Sequence, residues 1–351
     1  MSYFCVKFNR QRMNKKRVTI YDLAKAMGLS PSYISKALND YPMINIKMKE
    51  KVRMTAQKLN YKHNSYAANL RKGISRTIGV IVPNINKKFF SEIISGIENV
   101  CFENDYGLII CQSQESFEKE CKAIETLIRQ NVDCIMISIT AETQSTEYLQ
   151  NIINNGIILI QLDRYTENLN TFKVINDNEF MAYEATKHLI SQGYRKIAFL
   201  GWVEQLTINK LRISGYLRAL KESKLPSFIF DNAIQKERTA EVATRLLKSF
   251  EPPDAFITFA DHQALIVLQV AKSLEIDVPE QLGIIGSGND SLTEITTPTL
   301  STIDQKSIDL GKQAADLYFE ILSKKQNNRT IIITEKIVPA GIICRESTMK
   351  L

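Results

Sequence analysis

The sequence predicts an α/β protein in two parts: a small three-helix, helix-turn-helix head, then a pair of doubly wound parallel-sheet subdomains. Three observations predict it. Residues 18–39 read VTIYDLAKAMGLSPSYISKALN, with cap and turn residues spaced for two short helices. From Arg76 onward, near-continuous apolar runs alternate with amphipathic segments, as parallel strands covered on both faces require. Charge divides sharply along the chain. Residues 1–76 hold 17 Lys+Arg against only Asp22, Asp40 and Glu50, so the net charge of +7 conceals a basic head on an acidic body.

In the head, Thr19 is an N-cap residue with Asp22 three positions on, the spacing of a capping box. Leu23, Ala24 and Met27 make one apolar face. Gly28 supplies the left-handed residue that stops the helix. Ser30 caps the second helix, and Pro31 fits its first position, where no N–H is needed. Ile34, Ala37 and Leu38 are expected to point inward, leaving Ser32, Tyr33, Ser35, Lys36 and Asn39 outward. A capped helix carrying short and basic donors behind a tight turn is the geometry that enters a DNA major groove. A third helix is expected over 47–60, with Val52, Ala56 and Leu59 packing on the first two. Residues 62–76, KHNSYAANLRKGISR, form a basic linker with too few large apolar groups to fold strongly alone. The opening MSYFCVKFNRQRMNKK has no long apolar core and does not read as a signal peptide; Met1 and Met13 both remain open as starts.

In the body, strands are expected at 77–83, 108–112, 133–139, 157–163 and 172–177, with helices at 89–104, 117–129 and 145–155 between them. The pattern then restarts: helix 178–192, strand 196–201, helices 208–223 and 236–250, strand 254–259, helix 263–275 and strand 282–286. Strand 300–305, helix 307–323 and strand 330–338 close the two halves. Two runs of this kind imply two doubly wound subdomains.

The same sequence excludes several function classes. No apolar run reaches the 18 residues of a membrane span. The six cysteines, at 5, 101, 111, 121, 134 and 344, form no C-x-x-C and no metal spacing with the three histidines. Reduced thiols are the plain reading, with Cys111 and Cys134 as buried small hydrophobes. His63, His188 and His262 read as structural or solvated. Neither G-x-x-x-x-G-K-[ST] nor G-x-G-x-x-G occurs. GSGND (286–290) reads as a binding loop at a strand's carboxyl end, where open α/β sheets place ligands. An α/β enzyme such as a sugar kinase or dehydrogenase lacks its phosphate loop, metal ligands or nucleophile here. An exported solute-binding protein lacks its leader and has no use for a basic head. No cofactor or metal is expected.

VTIYDLAKAMGLSPSYISKALN, the KVRMTAQKLNY helix, HNSYAANLRKG and RTIGVIVPNINKKFFSEIISGIE together resemble the lactose/galactose repressor family of bacterial transcription regulators, from about Val18 to Ser347. The resemblance implies an extension at 1–16, a DNA-binding domain at 17–62 and a hinge at 63–76. It further implies an effector-binding and dimerisation domain at 77–351, built like a periplasmic binding protein. The N-subdomain is expected at about 77–175 and 306–330, the C-subdomain at about 176–305 and 331–347. The function implied is that of a cytoplasmic, nucleoid-associated repressor of carbohydrate-utilisation genes. A homodimer is expected on a near-palindromic double-stranded DNA operator, with its affinity switched by a small sugar or phosphosugar. The sign of regulation and the effector's identity stay open. No heptad tail follows the last strand, so a dimer and not a tetramer is expected.

The family's roles transfer by position. Thr19, Tyr21, Ser30, Ser35 and Asn39 match residues that hold the DNA backbone; Pro31, Ser32 and Lys36 match those that read base edges. Asn64 and Leu70 fall in the hinge helix, with Leu70 at the leucine that wedges into the minor groove. Lys36 replaces a common arginine, His63 a proline and Ala68 another arginine. For the effector, the matching positions are Asn84, Asn86 and Phe90 after the first strand, and Gln112 and Ser113 after the second. Asp163, Arg212, Asp261, Asn289 and Gln305 complete the set. Polar side chains around an aromatic face suit a polyol. Two family positions have changed: a common aspartate is Gly288 and a common asparagine is Ala260.

Overall fold

A computed structural model describes residues 18–61, 74–143, 145–203, 205–231 and 236–350. The chain forms two compact units, Met1–Ile74 and Ser75–Leu351.

The described part of the first unit is three helices: α1 (Ile20–Met27), α2 (Pro31–Leu38) and α3 (Ile46–Lys58). The caps form as the sequence requires. Asp22 N–H donates to Thr19 Oγ1 at 3.3 Å and Thr19 N–H to Asp22 Oδ2 at 2.8 Å. Gly28 stands at φ 67°, open to glycine without a side-chain penalty. Ser30 Oγ accepts from Tyr33 N–H at 3.2 Å. Leu23, Ala24, Ile34, Ala37, Ile44, Val52 and Ala56 are the buried core of this unit. Tyr33 corrects the expectation that it faces out: its ring is half-buried against that core. A ring of that size lying against an apolar core gains more by packing than by hydration.

The second unit contains two six-stranded sheets. In the first half the order is β1 (Thr77–Val82), α4 (Lys88–Glu103), β2 (Gly107–Gln112), α5 (Phe117–Arg129), β3 (Cys134–Ile137), α6 (Glu147–Asn154), β4 (Ile158–Leu162) and β5 (Phe172–Asn176). The second half runs α7 (Asn178–Ser191), β6 (Ile197–Leu200), α8 (Thr207–Glu222), β7 (Phe228–Phe230), α9 (Lys236–Leu247), β8 (Ala255–Thr258), α10 (Asp261–Ser273), β9 (Gly283–Ser287), α11 (Leu292–Ile295) and β10 (Ser301–Asp304). Then α12 (Ser307–Gln326) and β11 (Glu335–Val338) return to the first half, and β12 (Gly341–Ile343) and a 3₁₀ turn (Glu346–Thr348) end in the second.

Strand order is β11-β5-β4-β3-β1-β2 in one sheet and β12-β10-β9-β8-β6-β7 in the other, parallel throughout except that β12 runs antiparallel to β10. Each half therefore reverses direction between its first and third strands, β1/β3 and β6/β8. In doubly wound sheets the crevice outside such a reversal is where ligands bind. Strand β1 is buried along its whole length. Ile78, Val80 and Val82 feed one core with α4 and α12, while Ile81 feeds another with α5 and α6.

Three expectations need correction. Residues 331–347 were placed in the second subdomain, but β11 within them pairs with β5 of the first sheet. It is an edge strand, exposed along most of its length, so no burial pattern marked which sheet it joins. Strand β2 is an edge as well, leaving Ile110 exposed and Cys111 only half-buried. The short β7, α11 and β12 were not foreseen, each being four residues or fewer.

Asn176 pins the two halves together. Its Nδ2 donates to the carbonyls of Gln305 at 2.9 Å and Val338 at 3.0 Å, so one side chain ties all three places where the chain crosses between the sheets. Asn178 Nδ2 in turn donates to the Asn176 carbonyl at 3.1 Å.

Candidate functional site

Between the carboxyl ends of the two sheets lies a cavity of about 340 Å³. From the first half it is lined by Asn84, Lys87, Lys88, Phe89 and Phe90 after β1, Glu115 after β2, and Asp163 and Arg164 after β4. The second half supplies Trp202 after β6, Ile208 and Arg212 from α8, Phe259 to His262 after β8, Ser287, Gly288 and Asp290 around β9, and Gln305 after β10.

Arg212 is 4% exposed and fixed on two sides. Its Nε donates to Asn178 Oδ1 at 2.8 Å and its Nη1 to the Phe259 carbonyl at 2.7 Å, with the guanidinium 4.5 Å over the Phe259 ring. Burial pulls its pKa down to about 10, with the nearby Asp163 charge opposing, so it stays cationic at neutral pH. Asp163 sits in the left-handed region at φ 55°, an uncommon conformation for a non-glycine residue and one often held at ligand sites. Burial raises its carboxyl above the ordinary range, and Arg164 and Arg212 pull it back. Arg164 holds Glu115 through Nη1 at 2.8 and 2.9 Å and stacks 4.3 Å over the Trp202 ring of the opposite half. Its buried Nε has no hydrogen-bond partner. Lys88 also spans the cleft, donating from Nζ to the Asn289 carbonyl at 2.6 Å.

Asp261 accepts from Asp290 N–H at 2.7 Å and from Thr302 Oγ1 at 2.6 Å. Burial lifts its carboxyl to about 6. Gly288, at φ 127°, lies where a side chain would be strained, and a Cβ there would stand 3.4 Å from Asp261 Oδ2. The Asp261 carboxylate therefore occupies the space beside the position where the family commonly has its aspartate.

Of the residues singled out in the sequence, the cavity brings together Asn84, Phe90, Asp163, Arg212, Asp261 and Gln305. It leaves out four. Asn86 is exposed, its N–H bonded to Asn84 Oδ1. Gln112 turns to the Ile85 amide at 3.4 Å, and Ser113 is fully buried beneath the lining. Asn289 Oδ1 accepts from Arg345 Nη2 at 3.0 Å, while its carbonyl accepts from Lys88. Sequence reasoning missed Arg164, Glu115, Phe259 and Trp202. The sole tryptophan directly after a strand, and an arginine directly after Asp163, were the available signals.

In the head, Tyr21, Ser32 and Lys36 are exposed, and Pro31 and Ser35 are half-buried. The Lys36 ammonium rests 5.4 Å over the exposed Tyr41 ring. Asn39 closes α2, its Nδ2 donating to the Ser35 carbonyl at 2.8 Å. Thr19 and Ser30 spend their hydroxyls on caps, accepting from the first-turn amides of Asp22 and Tyr33. Asn64, Leu70, His63 and Ala68 lie outside the described residues.

A periplasmic-binding-protein-like domain family matches residues 186–348. The transcriptional repressor PurR of Vibrio atlanticus is 30% identical to this chain over 89% of its length and 94% of its own. Catabolite control protein A of Priestia megaterium is 30% identical over 94% of this chain and 99% of its own length. This chain belongs to the lactose/galactose repressor family. Its relatives are transcription repressors, not enzymes, and the regulator carries a periplasmic-binding-protein-like domain of the ligand-binding type. A LacI-family regulator from Enterococcus faecium, solved with bound ribose, matches the regulator at TM-score 0.68 with 27% identity, covering 78% of this chain and 99% of that one. Among the described residues, no helix is long and apolar enough to cross a membrane, and no three or more His, Cys, Asp or Glu side chains gather where they could hold a metal ion.

Proposed function

We propose that the regulator is a repressor of carbohydrate-utilisation genes, relieved or engaged by an uncharged monosaccharide bound in the cavity between the sheets. One observation carries the choice of a neutral sugar. Asp163, Arg164, Arg212 and Gln305 are buried polar groups set among Phe90, Trp202 and Phe259, the mixture that grips hydroxyls and covers a ring face. A phosphosugar fits less well, because each buried guanidinium already faces a carboxylate: Arg164 holds Glu115, and Arg212 lies in the field of Asp163. Bringing in a dianion would require breaking one of these pairs. The ribose bound to the Enterococcus faecium regulator supports the same ligand class.

The head acts as one of two in a homodimer. A single recognition helix contacts too few base pairs for genomic selectivity, and a two-fold pair reads a near-palindrome with half-sites about one helical turn apart. Pro31, Ser32 and Lys36 read base edges; Thr19, Tyr21, Ser30, Ser35 and Asn39 fix the register on phosphates. Selection of binding sites from random duplex DNA with the full chain tests this. A two-fold symmetric consensus is expected, and its affinity should change when a sugar from a broad panel is added. Binding with no sequence preference would refute the repressor assignment. A clear consensus untouched by every sugar would refute the effector assignment alone.

A further inference from the structure

We infer that the effector is amphipathic: a monosaccharide that sets a deoxy carbon or small alkyl group against Trp202, Ile208, Phe259 and Ala260 while its hydroxyls meet the buried polar groups of both halves. The inference deepens the sugar reading above and rests on it. Trp202, Ile208 and Phe259 line the cavity and, with Leu206, form a buried apolar cluster distinct from the sheet cores. Ala260, which also lines the cavity, packs against this cluster, as does Ala141 from across the cleft. The rings of Trp202 and Phe259 meet edge to face at 5.5 Å.

The backbone at this end is already committed. Trp202 N–H donates to Asn209 Oδ1 at 3.1 Å, Phe259 N–H to the Leu200 carbonyl at 2.9 Å and Ala260 N–H to Gln263 Oε1 at 3.2 Å. The carbonyls of Phe259 and Ala260 accept from Arg212 and from Thr258 Oγ1, at 2.7 and 3.0 Å. Apart from the Trp202 indole N–H, a ligand hydroxyl buried against this patch would exchange water for ring edges and methyl groups. Arg164 is 7% exposed and its Nε is a buried donor with no partner, next to the Asp163 carboxylate at 3.9 Å. The unpartnered Arg164 donor and the Asp163 carboxylate thus stand beside an apolar patch, with the Arg164 guanidinium over its Trp202 ring and that of Arg212 over its Phe259 ring.

Calorimetry on the full-length protein tests this with sugars that differ at one position: D-ribose against 5-deoxy-D-ribose, D-galactose against D-fucose, and each parent against its methyl and isopropyl glycosides. In at least one pair the deoxy or alkylated member should bind about tenfold tighter or more, with a more negative heat-capacity change. Ala260→Asn places an amide in the apolar wall at a helix N-cap, where asparagine is well tolerated, and should narrow or reverse that preference. The wild-type pairs carry the test whether or not this variant folds. If the fully hydroxylated member of every pair binds equally or better, the amphipathic assignment is wrong and the sugar reading survives. If no member of the panel binds, both are wrong.

Discussion

Arg212 is the residue whose replacement most sharply separates two roles, gripping the ligand and holding the cleft. Replacing it with methionine keeps much of the volume and removes the guanidinium. Asn178 Oδ1 and the Phe259 carbonyl then lose their donors at 2.8 and 2.7 Å, and both residues are buried. Stranding a buried acceptor costs about 1–3 kcal/mol, and relief of the buried charge returns part of it, so the unfolding free energy of the second unit should fall by roughly 2–4 kcal/mol. The damage should spread beyond the cavity. Asn178 also donates to the Asn176 carbonyl, and Asn176 pins the crossovers at Gln305 and Val338. Arg212→Lys keeps the charge but can reach only one of the two acceptors, so it should lose about half as much stability. Urea unfolding followed by circular dichroism reads the stability. Fluorescence anisotropy on labelled operator, with and without sugar, reads the response. Operator affinity without sugar should stay within about twofold of wild type, with the sugar response gone. If Arg212→Met unfolds like wild type and keeps wild-type sugar affinity, the guanidinium neither braces the cleft nor contacts the ligand.

Gly96→Ala should destabilise the second unit by about 1–3 kcal/mol in urea melts, because a Cβ there would collide with the Ile308 carbonyl oxygen where α4 packs on α12; a neutral result would mean the helices do not approach so closely. Asp261 has its carboxyl lifted from 3.8 to about 6 by burial, so the folded protein keeps a proton that the unfolded chain releases, and stability falls as pH rises from about 4 to 6. Asp261→Asn removes that slope: its unfolding free energy relative to wild type should rise by up to about 3 kcal/mol between pH 4 and 7, and a pH-independent difference would contradict the burial argument. Lys36→Ala should relax preference at one base pair in each half-site at a cost of about 1–3 kcal/mol on the best operator; equal losses on all sequences would make Lys36 a phosphate contact instead.

Much of this architecture was legible because local signals and burial agree. Thr19, Asp22, Gly28, Ser30 and Pro31 state the head's helix ends in the residues themselves, and the caps form as written. Strands such as β1 and β3, buried on both faces, announce themselves as unbroken apolar runs. Edges do not. Strands β11 and β12 carry exposed residues and few positions each, so neither their length nor their sheet could be read. The cavity was legible where strand ends deliver side chains straight into it, as at Asp163 and Asn84. It was obscure where a long-range partner decides the direction. Asn289 follows β9 as a ligand residue would, yet Arg345, 56 residues later, captures its side chain. Trp202 and Arg164 come from opposite halves and lie 4.3 Å apart only once both sheets are assembled.

A sugar bound in the cavity and an operator bound by the head must each change the other's affinity by the same factor, and that reciprocity can be measured. With the sugar identified by calorimetry, its dissociation constant is measured for the full-length protein alone and saturated with operator, and the operator's constant is measured with and without saturating sugar. Both ratios should be equal and lie between about 5 and 150, a coupling of about 1–3 kcal/mol. A ratio of one in both directions, with sugar and operator each binding tightly, would contradict it.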